Sequence, residues 1–435
     1  MLCRMRPIPL IFCLLSLTVA VIIVIITPTL KSAASPMLYP FRWIDSHNVY
    51  LHRFNNYPAQ TLLRYRHGFG PKMQMLPAGM FREDDRGWGD VSDDIQTVNW
   101  TDFHESDGNT TVKVIILARM RTGSSFLGQL FNQHPDFFYL FEPFLVLNRM
   151  VQNSVLPKQH FTSETIKLLG KLLHCDTSES FVQYLKNEKW MGVHQSKSLP
   201  ENFNRTQFTK QCKERPHFAL KTIRIENIRD LWPYLKNKSE NVKIIQLVRD
   251  PRGMVHSRIK LKYVNAKRVY GVSRRIMDSQ LVHITKDVCQ WMVRNAEEAA
   301  KGPPWLRQKY KLVRYEDVAT NPYKMAKEIY DFLGVRGHLK ISEWLDHNTR
   351  ADPAMKDQSK YLFQTKRNSR ATSQAWRHYL TPNTVRGIES LCGKQAFTMF
   401  GYKTLVEPTS LANKSFSFVD DRLPIAESIT QDDHL

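Results

Sequence analysis

Beyond residue 111, apolar runs alternate with amphipathic stretches, and short polar turns separate them. The first run, VKVIILA at residues 112–118, leads through a polar turn into SSFLGQLFNQH, whose apolar residues have helical spacing. Continuous apolar runs of this length are typical of strands buried on both faces of a parallel sheet. The other predicted strands are 217–225, 242–248 and 309–318, and the other predicted helices are 162–173, 287–300 and 325–334. This alternation predicts an α/β fold with right-handed crossovers, in which ligands bind beyond the carboxyl ends of the strands.

Another kind of apolar segment lies near the N-terminus, where residues 10–26 (LIFCLLSLTVAVIIVII) carry no charge. Its length is at the lower end for a helix that crosses a bilayer. Arg4 and Arg6 precede it and only Lys31 follows closely, which favours a cytosolic N-terminus and a lumenal body. A cleaved signal peptide is the alternative, with Ala33-Ala34-Ser35 as its cleavage site.

The chain between this segment and the first strand is rich in Pro, Asn, Asp, Arg and Gly and shows no sustained period. Such composition is typical of a stem that holds a folded body away from a membrane. We therefore predict a cytosolic tail at 1–9, a transmembrane signal-anchor at 10–26, a lumenal stem at 27–111, a folded domain at 112–418 and a C-terminal tail at 419–435.

The formal net charge of +21 suggests nucleic acid, an anionic membrane or an acidic polymer as partner, or else only a solubilising surface. A lumenal body excludes nucleic acid. The basic stretch at 260–275 (KLKYVNAKRVYGVSRR) is a candidate contact for an acidic polymer, and a solvated helix face is the alternative.

Two further features agree with a lumenal body. N-glycosylation sequons occur at Asn99, Asn109, Asn204, Asn237 and Asn413. Four cysteines lie beyond the apolar segment, at Cys175, Cys212, Cys289 and Cys392. They could form two disulfides in three possible pairings, or they could be four buried thiols.

Two strand ends carry residues suited to anions. The first is followed by Arg121-Thr122-Gly123-Ser124-Ser125, in which Gly123 permits a tight turn before a helix N-terminus. The helix dipole, the first amides, the hydroxyls and the Arg charge all favour an anion there, although an ordinary capped turn would look similar. The second strand runs into VRDPRG, where Arg249 and Ser257 could reach one phosphate across the turn. Together they predict one ligand with two phosphate-like ends.

These motifs resemble the membrane-bound Golgi carbohydrate sulfotransferases. The resemblance rests on RTGSSF, YLFEP and VRDPRG, and it includes LFNQH, PPWL, LVRYEDVATNP, WLDHNTR and FGYK over roughly residues 112–418. Within that family the chain is most similar to the keratan sulfate galactose and chondroitin 6-O-sulfotransferases. It departs from the family pattern at Ala118-Arg119-Met120, where Ala-Thr-Thr is expected.

The resemblance implies a single P-loop-like sulfotransferase domain with a mostly parallel central sheet flanked by helices. It implies 3′-phosphoadenosine 5′-phosphosulfate (PAPS) as donor, no metal, and a keratan- or chondroitin-type glycan as acceptor. It assigns the 5′-phosphosulfate to a first loop, comprising Met120, Arg121, Thr122, Gly123, Ser124, Ser125 and Phe126. It assigns the 3′-phosphate to a second loop, comprising Arg249, Asp250, Pro251, Arg252, Gly253, Met254, Val255, His256 and Ser257.

Two catalytic roles follow from the resemblance. Arg121 stands where soluble sulfotransferases carry Lys, and it is expected to stabilise charge on the leaving phosphate oxygen. Glu142 in YLFEP is the predicted general base, provided that residues 137–141 form a strand that brings it beside the donor. A helix cap or a partner for Arg121 is its alternative role, and His134 and His194 are the competing bases.

Other classes fit the sequence less well. A P-loop kinase needs a Lys-[ST] pair in the first loop, and many Golgi glycosyltransferases use an Asp-x-Asp metal site; the chain has neither. A non-enzymatic glycosaminoglycan-binding protein would agree with the basic net charge, but it would not need two matched anion-binding loops. The acceptor sugar and the oligomeric state stay open, a homodimer being one option.

Overall fold

The apolar runs form a five-stranded parallel sheet at the centre of the domain. A computed structural model describes residues 111–188, 196–270, 279–350 and 365–430, with the backbone alone at 262–270, 279 and 430. The strands are β1 (Lys113–Leu117), β2 (Phe137–Phe141), β3 (His217–Thr222), β4 (Val242–Val248) and β5 (Tyr310–Arg314). Their side chains are almost all buried, as the continuous apolar runs predict.

The strand order is β2-β3-β1-β4-β5, so the chain reverses its direction of travel across the sheet at β1. Residues of β1 pair with both neighbours; Ile116, for example, lies between Lys221 of β3 and Ile245 of β4. The prediction that the two anion loops follow neighbouring strands is therefore confirmed. The reversal point of such a sheet is where α/β proteins bind ligands.

Helices pack around this sheet. They are α1 (Ser124–Gln133), α2 (Leu145–Gln152), α3 (Phe161–Leu173), α4 (Glu179–Asn187), α5 (Arg205–Glu214), α6 (Trp232–Leu235), α7 (Pro251–Tyr270), α8 (Ser279–Ala300), α9 (Pro304–Arg307), α10 (Tyr315–Thr320), α11 (Pro322–Leu333), α12 (Leu339–Thr349), α13 (Ser369–Gln374), α14 (Trp376–Tyr379), α15 (Pro382–Met399) and α16 (Pro424–Thr430). Short 3₁₀ turns lie at Lys158–His160, Ile228–Leu231 and Pro408–Leu411.

One strand prediction was too long. The run at 309–318 is a strand only as far as Arg314, and helix α10 begins at Tyr315. Glu316 and Asp317 lie in the first turn of α10, where negative charge is favourable to the helix dipole. Arg314 also binds Asp317 at 2.8 Å, which stabilises the turn from strand to helix. The predicted strand at 217–225 likewise ends early, at Thr222.

Cys175, Cys212, Cys289 and Cys392 form two disulfides, and the structure gives their pairing. Cys175 pairs with Cys212, which joins the chain just after α3 to α5. Cys289 pairs with Cys392, which joins α8 to α15. The alternative of four buried thiols is wrong.

The predicted membrane segment at 10–26 and the stem lie outside the described residues, as do Asn99, Asn109 and His194. Within the ranges that the structure describes, no helix is both long and apolar enough to cross a membrane.

Candidate active site

The first loop makes a tight turn between β1 and α1. The amide and hydroxyl of Thr122 both donate to the Arg119 carbonyl, at 3.2 and 2.8 Å. Gly123 has a φ of 92°, and a Cβ at this position would lie 2.2 Å from the ring of Tyr315. Only glycine therefore allows the turn and the close approach of Tyr315 together. The turn directs the positive end of α1 toward the carboxyl edge of the sheet.

Arg119, one of the two residues that depart from the expected Ala-Thr-Thr, directs its side chain toward the segment after β3. Its Nη1 atom donates to Glu226 at 2.9 Å and to the Ile223 carbonyl at 3.3 Å, and its guanidinium stacks on Trp291. The unusual arginine thus joins the loop to the segment after β3 and to α8.

Two arginines of the second loop region hold the backbone of the first loop. Arg249 Nη1 donates to the Arg121 carbonyl at 3.0 Å, and Arg258 Nη2 donates to the Met120 carbonyl at 2.9 Å. The Arg249 guanidinium also lies over the ring of Tyr315, 4.4 Å from its centroid. Its buried Nε atom has no hydrogen-bond acceptor in the described part of the chain, which fits a site for an anionic ligand.

Arg121 is the point at which the two loops meet. Its Nε atom donates to the Ser257 hydroxyl oxygen at 2.9 Å, and its backbone has a φ of 75°, an uncommon conformation for a residue other than glycine. Burial, together with repulsion from Arg367, Arg249 and Arg258, lowers the pKa of Arg121 to about 9. Four guanidinium groups held this close together form a strongly electropositive site suited to phosphate and sulfate groups. Sequence motifs did not point to Arg258 or Arg367.

Other predicted residues of the second loop support this geometry from beneath. Arg252 is fully buried and binds both carboxylate oxygens of Asp250, at 2.7 to 3.1 Å. It also binds Glu389 at 2.9 Å and lies over the ring of Trp376. Asp250 and Arg252 therefore anchor the start of α7 to α15 and α14.

The remaining members of the second loop form the first turns of α7. Pro251, Met254 and Val255 are buried. Gly253 leaves room for the Arg249 side chain, since a Cβ there would lie 3.2 Å from Arg249 Nε. His256 stacks on Tyr379, and burial lowers its pKa to about 3, so that the ring is neutral.

In the first loop, Phe126 and Ser124 are buried, and Phe126 packs against Trp344 of α12. Met120 and Ser125 are partly exposed.

Glu142 lies at the carboxyl end of β2, because residues 137–141 do form a strand. Its φ is 49°, and its backbone amide donates to the Lys221 carbonyl at 2.9 Å. Lys221 Nζ donates to Glu142 Oε1 at 2.6 Å, and Arg224 Nε lies 3.3 Å from Oε2. The sequence did not identify Lys221 or Arg224 as the cations beside this carboxylate.

Lys221 connects this carboxylate to the first loop. Burial lowers the pKa of Lys221, Glu142 opposes that change, and the charges of Arg224 and Arg121 lower it further. Strand β3, which carries Lys221, lies between β2, which ends just before Glu142, and β1, which leads into Arg121, so that both groups lie at the same edge of the sheet.

His134 lies at the opposite edge. It ends α1, three residues before β2 begins, and both ring nitrogens have backbone partners. Nε2 lies 2.9 Å from the Arg336 carbonyl, and Nδ1 accepts from the Asp136 amide at 3.2 Å. The ring therefore holds the turn between α1 and β2 in place and is not beside the anion loops.

The remaining predicted positions are the sequon asparagines and the basic stretch, which lie on the surface or outside the described residues. Asn204, Asn237 and Asn413 are exposed, and the Asn204 side chain caps α5. Of the basic stretch at 260–275, side chains are described only for Lys260, which is exposed, and Leu261. Among the described residues, no group of three or more His, Cys, Asp or Glu side chains is arranged to hold a metal ion.

The chain is similar to known sulfotransferases. A family model described as "Sulfotransferase domain" matches residues 111–400. The chain is 33% identical to carbohydrate sulfotransferase 1 of Homo sapiens, over 71% of the chain and 84% of that protein. It is 31% identical to carbohydrate sulfotransferase 3 of Tetronarce californica, over 71% and 76% respectively. It is 32% identical to carbohydrate sulfotransferase 5 of Mus musculus, over 68% and 81%.

The chain belongs to the sulfotransferase family and is a PAPS-dependent sulfotransferase.

Proposed function

We propose that the enzyme transfers a sulfuryl group from PAPS to the 6-hydroxyl of galactose or N-acetylgalactosamine in a glycosaminoglycan or glycoprotein glycan. N-acetylglucosamine is a further acceptor of the same kind. The observation that carries the proposal is the cluster of guanidinium groups at the meeting point of the two loops, beside the buried Glu142. The similar proteins named carbohydrate sulfotransferase support a sugar acceptor.

The residues present fit the donor. PAPS carries anionic groups at both ends and supplies an activated sulfuryl group when bound. Arg249, with its unpartnered Nε, and Ser257 would hold the 3′-phosphate, while Arg121 and the start of α1 would hold the phosphosulfate. Because Arg121 contacts Ser257 directly, one connected group of side chains would bind both ends of the donor.

The roles in the transfer follow from these positions. Arg121 stabilises the negative charge that develops on the leaving phosphate oxygen. Glu142 accepts the proton of the sugar hydroxyl as that oxygen attacks sulfur, so the proton ends on the carboxylate. Lys221 and Arg224 hold this carboxylate in place and compensate its charge.

We also propose a location in the Golgi membrane, with a single type II anchor at 10–26 and the catalytic domain in the lumen. The charge asymmetry around that segment supports the orientation. Two disulfides and three exposed sequon asparagines support an oxidising, glycosylating compartment.

An acceptor panel tests the proposal. The full-length enzyme, purified in detergent, is incubated with radiolabelled PAPS and keratan, chondroitin or desulfated heparan chains. We expect label in keratan or chondroitin, and mass spectrometry of the released sugars should place it at a 6-hydroxyl. Transfer to none of these chains, or to another position only, would contradict the proposal.

A further inference from the structure

The carboxyl edge of the sheet has two halves with different chemistry. The donor loops follow β1 and β4, whereas Glu142, Lys221 and Arg224 follow or end β2 and β3. Because β2 and β3 form one side of the sheet, the residues beyond these two strands make up the half that the donor loops do not use. An acceptor that reaches Glu142 must approach over this half.

A second ion pair lies on this half. Helix α2 begins three residues after Glu142 and carries Arg149, whose Nη2 atom binds the Glu188 carboxylate at 2.9 Å. Tyr184 of α4 is near both pairs: burial raises its pKa and the nearby Glu188 raises it further, whereas Arg149 and Arg224 both act to lower it. The Arg149–Glu188 and Arg224–Glu142 pairs therefore belong to one cluster.

The arginines of this cluster are its outer members. The side chains of Arg149 and Arg224 are 25% and 16% exposed, whereas those of Glu188 and Glu142 are 10% and 3% exposed. The Nε atom of Arg149 is buried and no described residue accepts a hydrogen bond from it, whereas the Nε atom of Arg224 lies 3.3 Å from Glu142 Oε2. With Lys221, the cluster contains three cations and two carboxylates.

We propose that Arg149 and Arg224 bind an anionic substituent of the acceptor chain, a carboxylate or a sulfate ester, and thereby place the sugar hydroxyl at Glu142. The proposal rests on the function proposed above and narrows it to acceptors that carry a charge near the reacting sugar. A guanidinium fork can bind two oxygens of such a group while the ion pair behind it keeps the arginine in position.

The test compares acceptors that differ only in charge. Chondroitin is paired with its carboxyl-reduced form, and keratan sulfate with its desulfated form, so that the two arms separate a uronate from a sulfate ester. For the wild-type enzyme we expect the KM of the charged acceptor to be about ten- to a hundred-fold lower than that of its neutral form. Arg149→Gln and Arg224→Gln should each remove most of that difference.

A matched control is Arg215→Gln. Arg215 is also a partly exposed arginine with an unpartnered buried Nε, but it contacts the Pro135 carbonyl at the opposite edge of the sheet. This variant should keep the wild-type ratio of KM values. Binding of adenosine 3′,5′-bisphosphate, the desulfated donor product, to Arg149→Gln should also stay within about twofold of wild type, which shows that the fold and the donor site are intact.

Suppose that the wild-type enzyme sulfates these glycans and that both arginine variants keep the wild-type ratio of KM values for neutral and charged acceptors. The proposed site is then wrong, while the proposed function stands. If the wild-type enzyme does not discriminate by charge, the site is also wrong. If it sulfates no glycan at all, the proposed function itself fails.

Discussion

Arg121 Nε donates a hydrogen bond to Ser257 Oγ at 2.9 Å, and this contact joins the turn after β1 to the helix after β4. Arg249 strengthens the same junction through the Arg121 carbonyl. The donor site is therefore one connected unit built on two neighbouring strands. Residues on either side of the junction are expected to have separable effects on binding and turnover.

Arg249→Ala and Ser257→Ala should weaken binding of adenosine 3′,5′-bisphosphate, because both side chains act on the 3′-phosphate. Each lost charge-assisted contact is expected to cost about 1.5–3 kcal/mol, or about ten- to a hundred-fold in Kd. Isothermal titration calorimetry measures this directly, and Arg249→Lys, which keeps the charge, should lose less. An Arg249→Ala enzyme that binds the product as tightly as wild type would show that the second loop is misassigned.

Arg121→Ala should lower turnover more than it lowers product affinity, because its charge is needed most when the leaving oxygen becomes negative. Removal of one preorganised donor is expected to reduce kcat about 10²–10³-fold. Steady-state kinetics with saturating PAPS measures kcat, and Arg121→Lys should retain part of the wild-type kcat. Equal losses in affinity and turnover would instead indicate a role in binding alone.

We expect activity to survive EDTA, because guanidinium groups of this site can compensate the donor's charges. The apparent acceptor affinity should fall as salt rises, since exposed basic residues are screened within about 10 Å at 0.1 M salt. The measurement is sulfate transfer with and without chelator, over a salt series. Complete loss of activity with chelator, restored by a divalent ion, would contradict the metal-free mechanism.

The fold was predictable because its strands are continuous apolar runs. Strand β4 coincides with the predicted run, and α1 starts at Ser124, directly after the glycine turn. The position of Glu142 at the carboxyl end of β2 was predictable, because a strand prediction fixes the edge at which the next residue emerges. The start of α10 was missed, since YEDV at 315–318 continues a strand-like pattern and its helix depends on the Arg314–Asp317 ion pair.

The contacts of the site were less predictable than its residues. Lys221 lies far along the chain from Glu142, and only the pairing of β2 with β3 brings them together. Arg258 lies outside any motif, and its role depends on the packing of α7 beneath the first loop. The motif VRDPRG likewise does not show which of its arginines faces the first loop. In the structure Arg249 faces that loop, whereas Arg252 is buried behind it.

Glu316 is expected to make stability depend on pH. It accepts hydrogen bonds from the Asp250 amide and the Tyr402 hydroxyl, and burial together with repulsion from Asp250 raises its pKa to about 7. The folded chain thus keeps a proton that the unfolded chain has released. The stabilisation is fully present below the unfolded pKa of 4.5 and is lost as pH rises through 7.

The matched variant is Glu316→Gln, which keeps an acceptor for the Asp250 amide but does not titrate. The free energy of unfolding of wild type relative to this variant should fall by about 2–3 kcal/mol between pH 5 and pH 8. Chemical denaturation at several pH values measures it. Parallel pH curves for the two proteins would show that Glu316 does not titrate in this range.

The division of the carboxyl edge into a donor half and an acceptor half is tested most directly by Glu142→Gln. Gln keeps the size and hydrogen bonding of the side chain but cannot accept the hydroxyl proton. We expect turnover to fall about 10²–10⁴-fold while the affinity for adenosine 3′,5′-bisphosphate stays nearly unchanged. Glu240→Gln is the control, because Glu240 is a largely buried carboxylate, 11% exposed, that is paired with Lys113 at the amino end of β1, and it should retain wild-type turnover. A Glu142→Gln enzyme with near-normal turnover would contradict the assignment and would transfer the role of base to another residue.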